Sequence, residues 1–415
     1  MIGVSSSKSP EPGDFDNLYS IDYVKKQILN TMLTSKRAQF TISPQVTYLN
    51  CAYMAPLLKV VEKEGVKGVR RKRNPAKISP QDFFTDTGLL RQEFAKLINA
   101  KDPTRIVTIP SVSYGLATVA KNLGIKKDQH IIVASEQFPS NYYPWQALCE
   151  ETGASVKVIS PPEDFINRGN RWNEKILEAI NATTRAVAIG HVHWADGTRF
   201  DLEAIRKRTK DVGALLIIDG TQSVGAMSFD AEKIKPDALV CGGYKWLLGP
   251  YSIGLAYYGE YFDNGRPVEE NWMNRLKSED FSALVNYHTN YQPGSLRYEV
   301  GEHSNFILVP MMIRALQELN NWGVARIQEY CKSISAESIL RLKEKGFIIE
   351  DEAWRGAHLF GVRLPQQVDL NKVKASLLKH RIYVSVRGSA IRVAPHVYNT
   401  EKDLHKLTKI LFKIR

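Results

Sequence analysis

Cysteine is scarce and unpatterned in this chain: Cys51, Cys149, Cys241 and Cys331 are the only four among 415 residues. They form no CxxC pair and have no histidine at zinc-ligand spacing, so neither a disulfide framework nor a structural zinc site organises the fold. A reduced, cytoplasmic setting is the expectation. No apolar run reaches the ~20 residues of a membrane span. Met1 to Gly13 is rich in Ser and Pro without an apolar stretch, which predicts a loose tail and not a secretion signal. There is no internal repeat and no low-complexity tract. The nucleotide-binding GxGxxG and Walker lysine patterns are missing too.

What is present is an ordinary globular composition, 43% hydrophobic and 24% charged, with a net charge of +12. The basic excess is sharpest at Arg70-Arg71-Lys72-Arg73. No groove-reading motif or stacking aromatic accompanies that run, so it reads as a solvated helix end and not as a nucleic-acid surface. Attraction of an anionic substrate or cofactor is a second use of the excess.

Strands and helices alternate along much of the chain. Apolar strands are expected at Ile106–Ile109, Ile131–Ala134, Ser155–Ile159, Ala186–His191, Ala214–Ile218, Ala238–Cys241 and Ile253–Tyr257. Helical spacing fills the gaps, at Ser113–Leu123, Tyr143–Thr152, Glu174–Asn181 and Leu202–Asp211. Such alternation predicts an α/β fold with a mostly parallel central sheet covered by helices on both faces. Ahead of it, Asp22–Leu33 has helical periodicity, Val46–Leu49 reads as a short strand, and Leu57–Lys72 and Gly88–Asn99 read as helices flanking a linker, Asn74–Pro80. A polar, irregular stretch from Asn271 to Pro293 marks a change. Helices Phe306–Asn321 and Val324–Lys345 follow it. Next come strands Phe347–Ile349 and His358–Val362, helix Leu370–Lys379, strands Ile382–Val386 and Ile391–Val393, and a helix from Glu401. The expected division is an N-terminal arm (1–45), a large domain (46–290) and a smaller α+β C-terminal domain (291–415).

Two stretches carry chemistry. Ala214–Ile218 ends on Asp219, and Ala238–Cys241 runs through Gly242-Gly243 to Tyr244-Lys245. In open parallel sheets ligands sit beyond the carboxyl ends of the strands, where both fall. A lysine amine that forms a Schiff base, with an acid to partner a pyridinium nitrogen, is what pyridoxal phosphate requires. An acid at a strand end also has bland uses in solvation and turns. Ser111-Val112-Ser113 opens a helix, either as a plain N-cap or as a phosphate cradle. Phe138 follows a strand end, where it either stacks on a planar ring or packs in the core. His191 and His193 would face one way on a strand, as metal ligands do, but no supporting ligand is spaced beside them. Arg387 and Arg392 flank a glycine turn, suited either to a substrate carboxylate or to surface ion pairs.

Taken together, the blocks Asp219-Gly220-Thr221-Gln222-Ser223, Gly243-Tyr244-Lys245-Trp246-Leu247-Leu248-Gly249-Pro250 and Arg392-Val393-Ala394-Pro395-His396-Val397-Tyr398-Asn399-Thr400 resemble the class V aminotransferase family of fold-type I pyridoxal-phosphate enzymes. Cysteine desulfurases, selenocysteine lyases, kynureninases and isopenicillin-N epimerase-like proteins belong to the same group. The resemblance runs from about Tyr48 onward. It implies Lys245 as the Schiff-base lysine and proton shuttle, and Asp219 as the partner of the ring nitrogen. Gln222 would partner the ring hydroxyl, Val112 and Ser113 the phosphate, with the Tyr244 hydroxyl also in reach of it. Phe138 would stack on the ring, and Arg392 would clamp the substrate carboxylate. A homodimer with the site at its interface is implied as well.

Departures narrow the reaction. The loop Val386-Arg387-Gly388-Ser389-Ala390-Ile391 lacks the cysteine that desulfurases carry there, so persulfide chemistry of that kind is not expected. Gly242 stands where desulfurases usually have a phosphate-binding serine. Gly301-Glu302-His303 replaces the Gly-Thr they lend to the neighbouring subunit. The expected activity is transamination of a small amino acid, with a lyase or epimerase on the same scaffold as the alternative. Neither a metal, nor nucleic acid, nor a membrane is expected as a partner.

Overall fold

The computed structural model describes residues 32–365 and 368–413. The predicted helix Asp22–Leu33 lies outside the described residues except for Met32 and Leu33, which are not helical. Twelve strands follow in chain order. The first five are β1 (Thr47–Tyr48), β2 (Ile106–Ile109), β3 (His130–Ala134), β4 (Ser155–Ile159) and β5 (Thr184–Gly190). The next four are β6 (Leu215–Asp219), β7 (Ala238–Gly242), β8 (Gly254–Tyr258) and β9 (Phe360–Arg363). The last three are β10 (Ile382–Tyr383), β11 (Ser385–Arg387) and β12 (Ala390–Val393).

Seven of these form the central sheet, in the order β2-β8-β7-β6-β5-β3-β4. Only β8 runs against its neighbours; every other pairing is parallel. Strands buried on both faces need continuous apolar runs, and β5, β6 and β7 supply them. The period of two is visible in how the core divides. Ile131, Val133, Ala186, Ala188, Leu215, Ile217, Ala238 and Val240 pack into one cluster. Ile132, Val187, Ile189, Leu216, Ile218, Leu239 and Cys241 pack into another on the opposite face. At the edge, β4 exposes Ser155, Lys157 and Val158, and a lysine there discourages pairing with another chain.

Past the irregular stretch, helices Leu308–Trp322 and Val324–Glu344 lead to a small antiparallel sheet, β11-β12-β9. The architecture is the predicted one, a mostly parallel helix-covered sheet with a smaller C-terminal part. Local differences are instructive. The stretch Ile382–Val386 is not one strand: Ile382–Tyr383 pairs in parallel with Thr47–Tyr48, while Ser385–Arg387 pairs antiparallel with β12. An apolar run cannot say where its partner changes. Phe347–Ile349 makes only a single bridge, Ile348 to Arg363. The helix predicted from Gly88 begins at Asp82, whose carboxylate takes the Ser79 N–H at 2.7 Å. Its first turn carries Phe83 and Phe84, which pack edge-on against Phe281 and Trp272 from the irregular stretch.

Candidate active site

The site is assembled by neighbouring strands. Asp219 ends β6 and stands beside Val240 of β7, and the chain leaving β7 reaches Lys245 through Gly242-Gly243. Gly243 is required by packing: a Cβ there would lie 2.5 Å from the Ile253 carbonyl oxygen. Its backbone can therefore run against the loop before β8, which turns Lys245 back over the sheet end.

A cavity of about 320 Å³ opens at this end of the sheet, and Val112, Ser113, Phe138, Asp219, Gln222, Tyr244 and Lys245 all line it. A larger groove, about 1220 Å³, runs past His191 and Gln328 and contains none of these residues. The smaller cavity is the one with convergent chemistry.

Lys245 is 6% exposed. Burial lowers its ammonium pKa to about 8; Asp219 pulls it up, while Arg392 and Arg387 push it down. Burial likewise raises the Asp219 carboxyl above its usual range, against hydrogen bonds from Thr221 and the charge of Lys245. In both groups desolvation outweighs the mutual attraction, so each favours its neutral form more than it would in water. Thr221 alone donates to Asp219 among the described residues, with its N–H 3.0 Å from Oδ1. A half-buried carboxylate with so few donors has room for one more.

At the opposite wall, Ser111 is extended and its Oγ accepts the Tyr114 N–H at 3.2 Å, closing the start of the helix Val112–Asn122. Ser113 Oγ lies 2.9 Å from Ser111 Oγ. Ser111 is thus the cap, and the N–H groups of Val112 and Ser113 face the cavity end with the positive end of the helix dipole. The two readings of this segment are compatible.

Gln222 is held at both ends of its amide. Nε2 donates to the Ala52 carbonyl at 3.1 Å, and Oε1 accepts the Trp246 indole N–H at 2.8 Å. One N–H remains for a ligand. Lys245 Nζ lies 5.4 Å from the Phe138 ring centroid and 5.3 Å from that of Tyr244. Burial raises the Tyr244 phenol pKa, so its hydroxyl remains a donor at neutral pH.

Arg392 differs from the others. It is 1% exposed, does not line the cavity, and reaches it through Trp194, whose carbonyl accepts Nη1 at 2.7 Å. The histidine pair does not converge. His193 contacts Ser135 O and Asp196, whereas His191 lies against Phe229 on the larger groove.

An anion cradle at a helix start, a buried lysine, a carboxylate short of donors and an aromatic ring around one cavity fit pyridoxal 5′-phosphate. A sequence model of the family Aminotransferase class-V matches residues 81–412. The chain belongs to that family. It is 29% identical to the uncharacterized aminotransferase YcbU of Bacillus subtilis over 338 residues, 80% of this chain and 85% of the relative. With the isopenicillin N epimerase of Amycolatopsis lactamdurans it shares 23% identity, over 92% of this chain and 98% of the other. In fold it matches the apo cysteine desulfurase of Thermococcus onnurineus NA1, with a TM-score of 0.79 at 21% identity, covering 92% and 98% of the two chains. A cystine C–S lyase in complex with its product cysteine persulfide gives a TM-score of 0.79 at 18% identity, covering 89% and 98%. This class-V protein is accordingly a pyridoxal-phosphate family member.

Sequence reasoning assigned no role to Thr221 or Tyr251, both of which line the cavity. Thr221 had a signal: two residues after an aspartate in Asp-Gly-Thr, it makes the Asx-type turn. Tyr251 had none, since its position depends on how the loop before β8 folds back.

Proposed function

We propose that the protein is a pyridoxal-phosphate-dependent aminotransferase acting on an α-amino acid at Lys245. The observation that carries this reading is the meeting of Lys245, Asp219 and the helix start Ser111–Ser113 around one cavity. Bound pyridoxal phosphate supplies an electron sink for negative charge at an amino acid's Cα. The protein's share is to bind, orient and move protons. The N–H groups of Val112 and Ser113, with the Tyr244 hydroxyl, would hold the phosphate; Asp219 would keep a proton on the ring nitrogen; the free Gln222 N–H would meet the ring hydroxyl. Phe138 would stack on the ring. Lys245 Nζ, with a pKa lowered to about 8, takes and returns a proton near neutral pH. Arg392 receives the substrate carboxylate.

Desulfurase chemistry that builds a persulfide on a protein cysteine has little support. All four cysteines are buried and free, and burial pushes the Cys51 thiol, which feels the charge of Lys245, up to about 12. Such a thiol is not a nucleophile at neutral pH. We further take the protein to be a cytoplasmic homodimer. Tyr251, 62% exposed at the cavity, and Tyr53, 56% exposed, support a subunit contact beside the site. The N-terminal arm, the large domain and the small domain are taken to divide near residues 45 and 290.

The test is to record the visible spectrum of the holoenzyme and add amino acids one by one, without any keto acid. A lasting spectral change with release of one keto acid per site supports the transaminase. A spectrum that recovers while alanine, sulfide or the inverted amino acid accumulates overturns it in favour of a lyase or epimerase.

A further inference from the structure

Arg387 has no role in the reading above, yet it shares a surface with Arg392. In the hairpin of β11 and β12, Ser385 stands opposite Arg392 and Arg387 opposite Ala390. Side chains alternate along a strand, so Ser385, Arg387, Ala390 and Arg392 occupy one face, with the two arginines as diagonal neighbours. Both guanidiniums lie against the same cavity-lining ring: Arg387 Cζ is 5.3 Å and Arg392 Cζ 6.0 Å from the Trp194 centroid.

Among the described residues neither guanidinium is neutralised, and the Nε of each is buried without a partner. Their nitrogens otherwise reach only neutral acceptors: the Val386 carbonyl for Arg387, and the Trp194 carbonyl and Ser385 hydroxyl for Arg392. Glu136 and Glu163 border an adjoining cleft of about 190 Å³ with Arg387, but neither forms an ion pair with it among the described residues. The other two arginines of that cleft, Arg168 and Arg363, are both committed to Asp196, at 2.9 and 2.8 Å. Like charges so close are costly unless a ligand neutralises them. The cofactor phosphate does not serve, because the reading above assigns it to the helix start at Val112 and Ser113. Asp219 does not serve either, since that reading assigns it to the ring nitrogen and it pairs with neither arginine among the described residues. One substrate carboxylate satisfies one arginine and leaves the other without a partner.

We propose that the substrate is an α-amino acid whose side chain ends in a carboxylate, with Arg392 taking the α-carboxylate and Arg387 the second one. This rests on the reading of Lys245 and Arg392 given above. Arg387 is on this view a specificity-determining residue.

The experiment uses the cofactor-loaded protein and two unreactive four-carbon probes, succinate and butyrate, with binding measured by calorimetry. The parent protein is expected to prefer succinate by roughly 10- to 100-fold, as for a charge-assisted pair in a partly buried site. Arg387→Gln is expected to reduce that preference to within about threefold, and Arg387→Lys to keep part of it. No preference in the parent overturns the proposal, whatever the variants do. An undiminished preference in a folded Arg387→Gln protein overturns it as well, leaving Arg387 as packing on Trp194. Failure of the protein to take up cofactor at Lys245, seen as no visible absorption, is a separate outcome. It removes the underlying reading and this proposal with it.

Discussion

The carbonyl oxygen of Trp194 accepts a hydrogen bond from Arg392 Nη1 at 2.7 Å, joining residues 198 positions apart. The turn that presents this carbonyl is fixed from behind. Asp196 Oδ1 takes the Thr198 N–H and hydroxyl, and Asp196 Oδ2 takes Arg168 and Arg363. Gly197 has φ +80° and backs onto β9 closely enough that a Cβ would sit 2.2 Å from the Leu359 carbonyl oxygen. Gly197→Ala is therefore expected to destabilise the protein by about 2–4 kcal/mol, from a forbidden backbone angle and a backbone clash together. Because the turn shifts, the KM for the amino acid should rise more than kcat falls. Denaturant unfolding and steady-state kinetics read the two effects, and a stability within about 0.5 kcal/mol of the parent would refute the account.

Replacing Lys245 with alanine removes the one buried amine of the cavity without touching the sheet. Turnover should drop by at least roughly 10²–10⁴-fold, the range for loss of a positioned proton-transfer group. The fold should persist, since the change also removes a charge whose burial is unfavourable. Borohydride treatment followed by peptide mass analysis should find cofactor fixed to Lys245 in the parent only. Cofactor fixed to another lysine would move the site.

The pKa of about 8 at Lys245 has a direct consequence for loading. Only the neutral amine attacks an aldehyde. Uptake of pyridoxal phosphate by the cofactor-free protein should accelerate with rising pH and level off above a midpoint near 8, well below that of an ordinary lysine. Stopped-flow absorbance between pH 6.5 and 9.5 measures it. A rate still climbing at the upper limit would mean that the buried environment does not depress this amine.

Three histidines make the fold acid-sensitive. Burial lowers the pKa of His358 to about 4 and of His191 and His396 to about 3. Among the described residues both ring nitrogens of His396 are unpartnered, whereas His358 bridges the Gln222 carbonyl and the Gln328 side chain. In the unfolded chain these rings protonate near pH 6.5. Between that pH and about 4 the unfolded state binds more protons, so stability falls as pH falls. Each ring accounts for about 1.4 kcal/mol per pH unit within that window. His396→Phe should flatten the slope of unfolding free energy against pH by about one such unit, and an unchanged slope would show that His396 does not contribute.

Much of this was legible in the residues because one physical period dominates the sheet. Strands buried on both faces, such as β6 and β7, must be apolar throughout, and Asp219 and Lys245 mark where such runs stop. Sheet position then brought them together, and Val112, Ser113, Phe138, Gln222 and Tyr244 joined them at the same cavity. What could not be read depends on partners distant in sequence. Nothing in Ile382–Val386 indicates that its first half pairs with Thr47–Tyr48 and its second with β12. Nor does any local pattern say that Arg392 meets the cavity through Trp194, because that contact is made by a turn and a strand from separate parts of the chain. The start at Asp82 was missed for a simpler reason: the polar run Thr85-Asp86-Thr87 separates Phe83 and Phe84 from the apolar spacing that resumes at Leu89, on which the helix was recognised.

The pairing of β1 with β10 fixes an order of events during synthesis. Thr47 and Tyr48 have no strand partner until Ile382 and Tyr383 exist, and the neighbouring Ser385 hydroxyl bonds Asn50 across 335 positions. Closing so long a loop costs entropy that only later contacts repay. A ribosome-bound chain can complete most of the central sheet while the segment that begins at Thr47 still waits. The wall that carries Arg387 and Arg392 thus arrives after the rest of the cavity, and a chain released short of β10 would hold Lys245 and the helix start at Ser111–Ser113 without either arginine.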